Sequence, residues 1–307
     1  MTKFGYYAQL FRRLKVPQSA KVVDTVIPGE REFYDGYAPK YCNKPGYDAR
    51  GQIGKGNTKT IIYKFEGYKF EINEDIEKEG ERYAYSIINR DDESICMLIF
   101  VPFNDNYAYI DNISYFSGCA MNAMPKSRGG SLMLQVTLNF IELVLKKKYS
   151  LKFIRLRDTS YFRCAETKKT IDFDSLYMFT HGSTWYGKYG FVPYSVDDKR
   201  TDCELLSDYK LNQKLVRAIP LKSTNVEQYV FEQLKNPKVG KRITKEVMIK
   251  IFKNYNDRPI IDFFRDFLRH YDKSCGVFSM IYKRVMKDIG MVDLHGKTYY
   301  KKLVIDY

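Results

Sequence analysis

PKSRGGSLMLQ, residues 125–135, stands directly before the apolar-periodic run VTLNFIELVL at 136–145. Either its two glycines merely let a helix begin, or they bring a row of backbone amides up to an anion. The form Lys126-Ser127-Arg128-Gly129-Gly130-Ser131 is basic-x-x-Gly-x-small, placed where a strand gives way to a helix. At such a junction successive N–H groups converge, and the helix N-terminus adds its positive end. Glycine suits the position because a side chain would hold a phosphate away from the amides.

Working outward, the upstream sequence reads as strands. TIIYKFEGYKFEIN (60–73) is β-rich and interrupted at Gly67, and NEDIEKEGER (73–82) is a charged connection. YAYSIIN (83–89), SICMLIFVP (94–102) and YAYIDNISYF (107–116), joined by short polar turns, form an antiparallel meander. Downstream, Leu132, Val136, Phe140, Leu143 and Val144 share one face of a helix over about 131–148, closed by Lys146–Lys148 where cations suit the dipole. KFIRLRD (152–158) is a further strand. A loop of some twenty residues leads to a helix near 176–189 and the strand start GFVPYS (190–195).

Beyond residue 200 the period is helical. Thr224 with Glu227 offers a capping box for a helix at 225–235. Thr244 caps another near 245–255, Pro259 opens a third at 259–271, and a fourth over 277–289 ends at Gly290. The closing segment reads as a hairpin turning at His295–Gly296.

The bulk numbers set limits. No apolar run reaches the roughly 20 residues of a membrane span, and the first residues lack the apolar core of a secretory signal. The six cysteines (Cys42, Cys96, Cys119, Cys164, Cys203, Cys275) have no C-x-x-C spacing, a pattern suited to reduced thiols and offering no metal set. The net charge is +14. Residues 1–58 hold ten Lys/Arg against five Asp/Glu, 59–199 nineteen against nineteen, and 200–307 twenty-two against thirteen. A neutral middle with basic flanks points to arms that meet something anionic, nucleic acid or an acidic protein surface. Many tyrosines, lysines and asparagines suggest an AT-rich genome. The expected location is intracellular, cytoplasmic or nuclear, or packaged in a virion.

TWYGKYGFVPY (184–194), one strand–helix unit beyond the glycine loop, resembles the signature that ends the last helix of GNAT-superfamily N-acetyltransferases. The resemblance covers roughly 83–195, with the meander in the place of that family's central strands. It implies that Lys126, Ser127, Arg128, Gly129, Gly130 and Ser131 hold the pyrophosphate of acetyl-CoA. It implies also that the backbone near Ser114 and Tyr115 bonds the pantetheine arm. Tyr186 matches the position whose hydroxyl protonates the departing thiolate, and Asp111 is the acid available on the fourth strand as base toward an amine acceptor. Lys126 and Ser131 stand where the family prefers Arg or Gln and Gly or Ala.

The expected fold class is therefore α/β of the α+β kind, a GNAT-like mixed, mostly antiparallel sheet flanked by helices. The expected domains are a basic irregular arm (1–58), the GNAT-like domain (59–199) and a basic helical domain (200–307). The last resembles a winged-helix module whose final helix presents Ser279, Lys283, Arg284 and Lys287 to a groove, with Lys297, Lys301 and Lys302 at phosphates. Two functions follow. One is acetyl-CoA-dependent transfer to an amine. The other is a catalytically inactive structural or nucleic-acid-associated protein that keeps the fold, for example a component of a large assembly or virion.

Overall fold

A computed structural model describes residues 59–77, 81–122, 129–195, 201–236, 244–271 and 274–303. The basic arm at 1–58 lies outside the described residues. The fold is α+β, and the chain divides into two compact units. One contains the described residues up to Arg157 together with those from Thr298 onward; the other spans Asp158–Lys297. The sequence reading sets its boundary at 199/200 instead, which separates segments that pack in one unit.

In the first unit, strands β1 (Lys59–Phe65), β2 (Tyr68–Glu77), β3 (Arg82–Ile88), β4 (Ile95–Pro102), β5 (Tyr107–Ile113), β6 (Phe153–Arg157) and β10 (Thr298–Lys302) form a sheet in the order β1-β2-β3-β4-β5-β6-β10. Every neighbouring pair is antiparallel except β5 and β6, which run parallel. β1 and β2 turn at Glu66 and Gly67, with φ of 46° and 82°, the left-handed pair that a two-residue hairpin needs. The supposed charged connection is mostly strand, since β2 continues to Glu77. β4 is buried along most of its length, as a mid-sheet strand covered on both faces must be.

Helix α1 (Gly129–Phe140) packs on β4 and β5. It passes through a π turn (Ile141–Leu145) into α2 (Lys146–Tyr149), which stops at Ser150 in the left-handed conformation. Phe140 anchors this run, its ring 5.2 Å from Tyr63 and 5.6 Å from Tyr85. Tyr63 donates to Asn139 Oδ1 at 2.6 Å. Lys148 pairs with Glu74 and donates to Tyr85 Oη at 3.0 Å.

The second unit holds the β7–β8 hairpin (Tyr161–Arg163, Thr170–Asp172), α3 (Phe173–His181), β9 (Val192–Tyr194), α4 (Asp202–Ala218), α5 (Val226–Leu234), α6 (Lys245–Tyr255), α7 (Ile260–His270) and α8 (Ser274–Asp288). Phenylalanine makes its core. Phe179 of α3 lies 5.0 Å from Phe264 of α7 and 5.8 Å from Phe278 of α8, and Phe263 stacks on Phe252 and Phe267. Arg265 donates to the Thr180 carbonyl at 2.9 Å. The helix before TWYGKYG is therefore part of the helical core.

Two expectations are corrected here. The continuous helix at 176–189 ends at His181, because Gly182 (φ 68°) closes it with a bond from its N–H to Met178 O. The closing hairpin does not form either: Gly296 makes a turn, but Thr298–Lys302 pairs with Phe153–Arg157. Lys301 and Lys302 thus belong to a sheet strand and not to a wing.

Candidate functional site

The β5–α1 junction gathers most of the residues expected to hold a cofactor. On β5, Ile110 pairs with Ile99 and Asn112 with Leu98, leaving Asp111 as the extra residue of a bulge. Bulges re-aim a side chain and interrupt a ladder. The carboxylate of Asp111 reaches the surface, yet the adjoining sheet strips part of its hydration. That desolvation raises its pKa; Arg82 opposes the rise and Glu77 adds to it. Arg82 is held by Glu77 and by the Phe100 ring, 3.6 Å below its guanidinium.

The parallel ladder to β6 covers Tyr107–Ile110 and stops at Ile110–Leu156, while β5 runs on to Ile113. Past Ile110, β5 therefore has no β6 partner. Ser114 is fixed toward β4: its N–H donates to Cys96 O at 2.8 Å and its Oγ to Asn112 Oδ1 at 3.3 Å. Tyr115 is buried, and its ring lies 2.2 Å from where a Cβ on Gly129 would stand. Gly129 is thus demanded by packing, a reason unrelated to any phosphate. Gly129, Gly130 and Ser131 form the buried first turn of α1; Lys126, Ser127 and Arg128 lie outside the described residues.

A disulfide joins Cys96 of β4 to Cys119, which follows β5 in a 3-10 turn (Ser117–Cys119), with Cα atoms 5.8 Å apart. For these two residues the expectation of reduced thiols is corrected. The crossing that brings them together is invisible in their spacing.

Tyr186 opens a second 3-10 turn (Tyr186–Tyr189) in the other unit, ended by Gly190 at φ 87°. Its half-buried ring lies 4.8 Å from buried Trp185 and 6.1 Å from Phe191. Gly187 is required because Tyr209 Oη lies 2.3 Å from its would-be Cβ, and its N–H donates to Thr184 Oγ1 at 3.1 Å. His181 ends α3, stacked on Tyr177.

Sequence reasoning missed a buried carboxylate group in this unit. Asp158, Asp172 and Asp174 are all buried. Asp158 Oδ1 accepts from the Ser160 amide at 3.0 Å and from its hydroxyl, while Oδ2 has no hydrogen-bond partner among the described residues. Asp172 accepts from Tyr282 Oη at 3.1 Å and pairs with Lys283 at 3.1 Å; His295 Nδ1 lies 3.8 Å from it. Burial raises the pKa of Asp158, against the pull of Ser160 and His295. Burial and then the charge of Asp158 push Asp174 well above the usual range. Carboxyl groups shifted upward in this way bind their proton more tightly than an ordinary aspartate. Their one sequence signal is the pair Asp172 and Asp174 around Phe173, which looks like ordinary helix capping.

The basic residues are largely engaged. Lys283 pairs with Asp172, Arg284 bonds Glu232 at 2.8 Å and lies 3.7 Å over Tyr229, and Lys301 pairs with Glu142 at 2.7 Å. Ser279 is buried against Thr167 and is not presented outward. Lys287 and Lys302 are exposed, and Lys297 is half-buried. No helix among the described residues is long and apolar enough to cross a membrane. In comparison with known proteins, no family model, no curated protein and no solved structure matches the chain.

Proposed function

We propose that the chain binds acetyl-CoA in the GNAT manner and transfers the acetyl group to an amine. The observation that carries this reading is the coincidence at β5. The ladder to β6 ends and a bulge begins at the same point, beside a helix that starts Gly-Gly-Ser. An extended ligand rich in amides, such as pantetheine, would pair with the backbone of β5 past the end of that ladder. The 126–131 loop supplies amides to the pyrophosphate. In the transfer, the amine nitrogen attacks the thioester carbon, the C–S bond breaks, and the departing thiolate takes a proton from solvent. The amine proton passes to Asp111, whose raised pKa makes it a better base than an ordinary aspartate.

A second reading is favoured by a specific observation: Tyr115 packs on Gly129, and the whole first turn of α1 is buried. A scaffold that has given up its cofactor would look like this. The exposed Lys287 and Lys302 would then meet nucleic acid or an acidic surface.

Calorimetric titration of acetyl-CoA and CoA separates the two. A Lys126→Glu/Arg128→Glu variant is the useful control, since any side chain at Gly129 meets Tyr115 first. Micromolar binding, weakened at least about tenfold by the charge reversal of two phosphate contacts, supports the enzyme. Asp111→Asn should then bind normally and turn over about 10²–10⁴-fold more slowly. No binding by the folded protein sinks the enzyme reading and leaves salt-dependent nucleic-acid binding to be measured.

A further inference from the structure

The β7–β8 hairpin brings three ligand-type side chains together that lie far apart in sequence. Cys164 follows β7, Glu166 sits in the hairpin turn, and Cys275 lies in the first turn of α8. The two sulfurs and a Glu166 carboxylate oxygen all lie within 4.8 Å of one another. Cys164 and Cys275 are buried and carry thiols, not half-cystines; Glu166 is half-buried. The Cys164 thiol donates to Glu166 Oε2 at 2.8 Å.

The surroundings hold this arrangement. The turn is closed by bonds from Cys164 N–H to Lys169 O and from Lys168 N–H to Cys164 O, both 2.9 Å. Its far side is pinned to α8 by Thr167 Oγ1 and Ser279 Oγ, 2.7 Å apart. Ser279 stands four residues after Cys275, on the same face of the helix. Hairpin and helix therefore meet through two neighbouring contacts, one a hydroxyl pair and the other the sulfur–carboxylate group.

We infer that Cys164, Cys275 and Glu166 bind one zinc ion that staples the β7–β8 hairpin to α8. Tetrahedral zinc with bonds of about 2.3 Å to sulfur and about 2.0–2.2 Å to oxygen holds its ligand atoms roughly 3.5–4 Å apart. Separations within 4.8 Å reach this by small side-chain rotations. Two thiolates favour zinc over magnesium or calcium, which take oxygen ligands. On binding, each thiol gives its proton to solvent and forms a Zn–S bond. Half-buried Glu166 leaves a solvent side on which water completes the coordination. The inference stands apart from the acyl-transfer reading.

The test uses the full chain, reduced and stripped with a chelator, then titrated with Co²⁺ and afterwards with Zn²⁺. One equivalent of Co²⁺ should bind with thiolate-to-cobalt charge-transfer absorption, and Zn²⁺ should displace it. Cys275→Ala should abolish the absorption, while Cys203→Ser, at an exposed thiol away from the group, should leave it intact. Glu166→Gln keeps both sulfurs and disturbs packing least. Outer-shell partners alone are worth about 10–100-fold in metal affinity, so losing this ligand should cost at least that. The proposal is overturned if the folded, reduced wild type binds neither ion, or if Cys275→Ala binds Co²⁺ unchanged. A Cys164–Cys275 disulfide found by peptide mapping in freshly isolated, metal-free protein overturns it as well.

Discussion

Asp111 and Asp174 are both aspartates with raised pKa values, and they are raised under different circumstances. Asp111 sits at a bulge on a strand surface, with Arg82 beside it offsetting the loss of water. Asp174 lies inside the helical unit, where Asp158 and Asp172 add their charge to the effect of burial. The first is a group that solvent can reach and a substrate can meet. The second is a store of unfavourable charge that the surrounding fold must outweigh. A raised pKa alone therefore does not mark a catalytic base; access decides what the shift can be used for.

The largest effect is expected at the glycine that borders the first site. Gly129→Ala drives a methyl group into the Tyr115 ring, and overpacking of this kind costs about 1–3 kcal/mol. Chemical denaturation measures it, and an unchanged midpoint would mean that Tyr115 does not pack there.

Asp174→Asn comes next. The folded-state pKa of Asp174 lies above its unfolded value, so the folded protein binds more protons between the two. Stability is then full at acid pH and falls as pH rises from about 4, the unfolded aspartate value, through the raised folded value. Asparagine removes that loss. At pH 8 the variant should melt about 2–4 °C higher, equivalent to about 1 kcal/mol, with a flatter pH profile. A lower melting point at pH 8 would show that the carboxylate is charged and well paired.

Asp111→Asn should be the smallest change. It has the same sign, but solvent screens the site, and stability should stay within about 0.5 kcal/mol. Its effect belongs in turnover, read as a loss of rate at neutral pH with acetyl-CoA affinity unaltered.

How legible each region was in the sequence follows the range of the contacts involved. The meander β3–β4–β5 is local, and the short polar turns between its β-rich runs give it away. Thr244 caps α6 as its side chain predicts, accepting from Val247 N–H at 3.3 Å. The capping box expected at Thr224 and Glu227 does not form. Thr224 follows a 3-10 turn (Leu221–Ser223) and donates to Leu221 O instead, so α5 starts from Asn225. The box that does form, Thr201 with Glu204, begins α4.

Non-local events were hidden. Gly296 does turn the chain, but the pairing of Tyr299 with Leu156 spans much of the sequence and no local pattern announces it. The carboxylate group assembles from Asp158 and the β8–α3 junction, with His295 from the segment after α8 beside it. The glycine loop was legible as a helix start, yet Tyr115 showed that one of its glycines serves packing.

Hydrogen–deuterium exchange, with and without acetyl-CoA, tests whether the β5–α1 junction holds the cofactor. Slowed exchange is expected in 111–116 and in 125–131, with no comparable change along β1 and β2. Unchanged exchange in both segments at saturating acetyl-CoA, or protection confined to other parts of the chain, would contradict a cofactor site there.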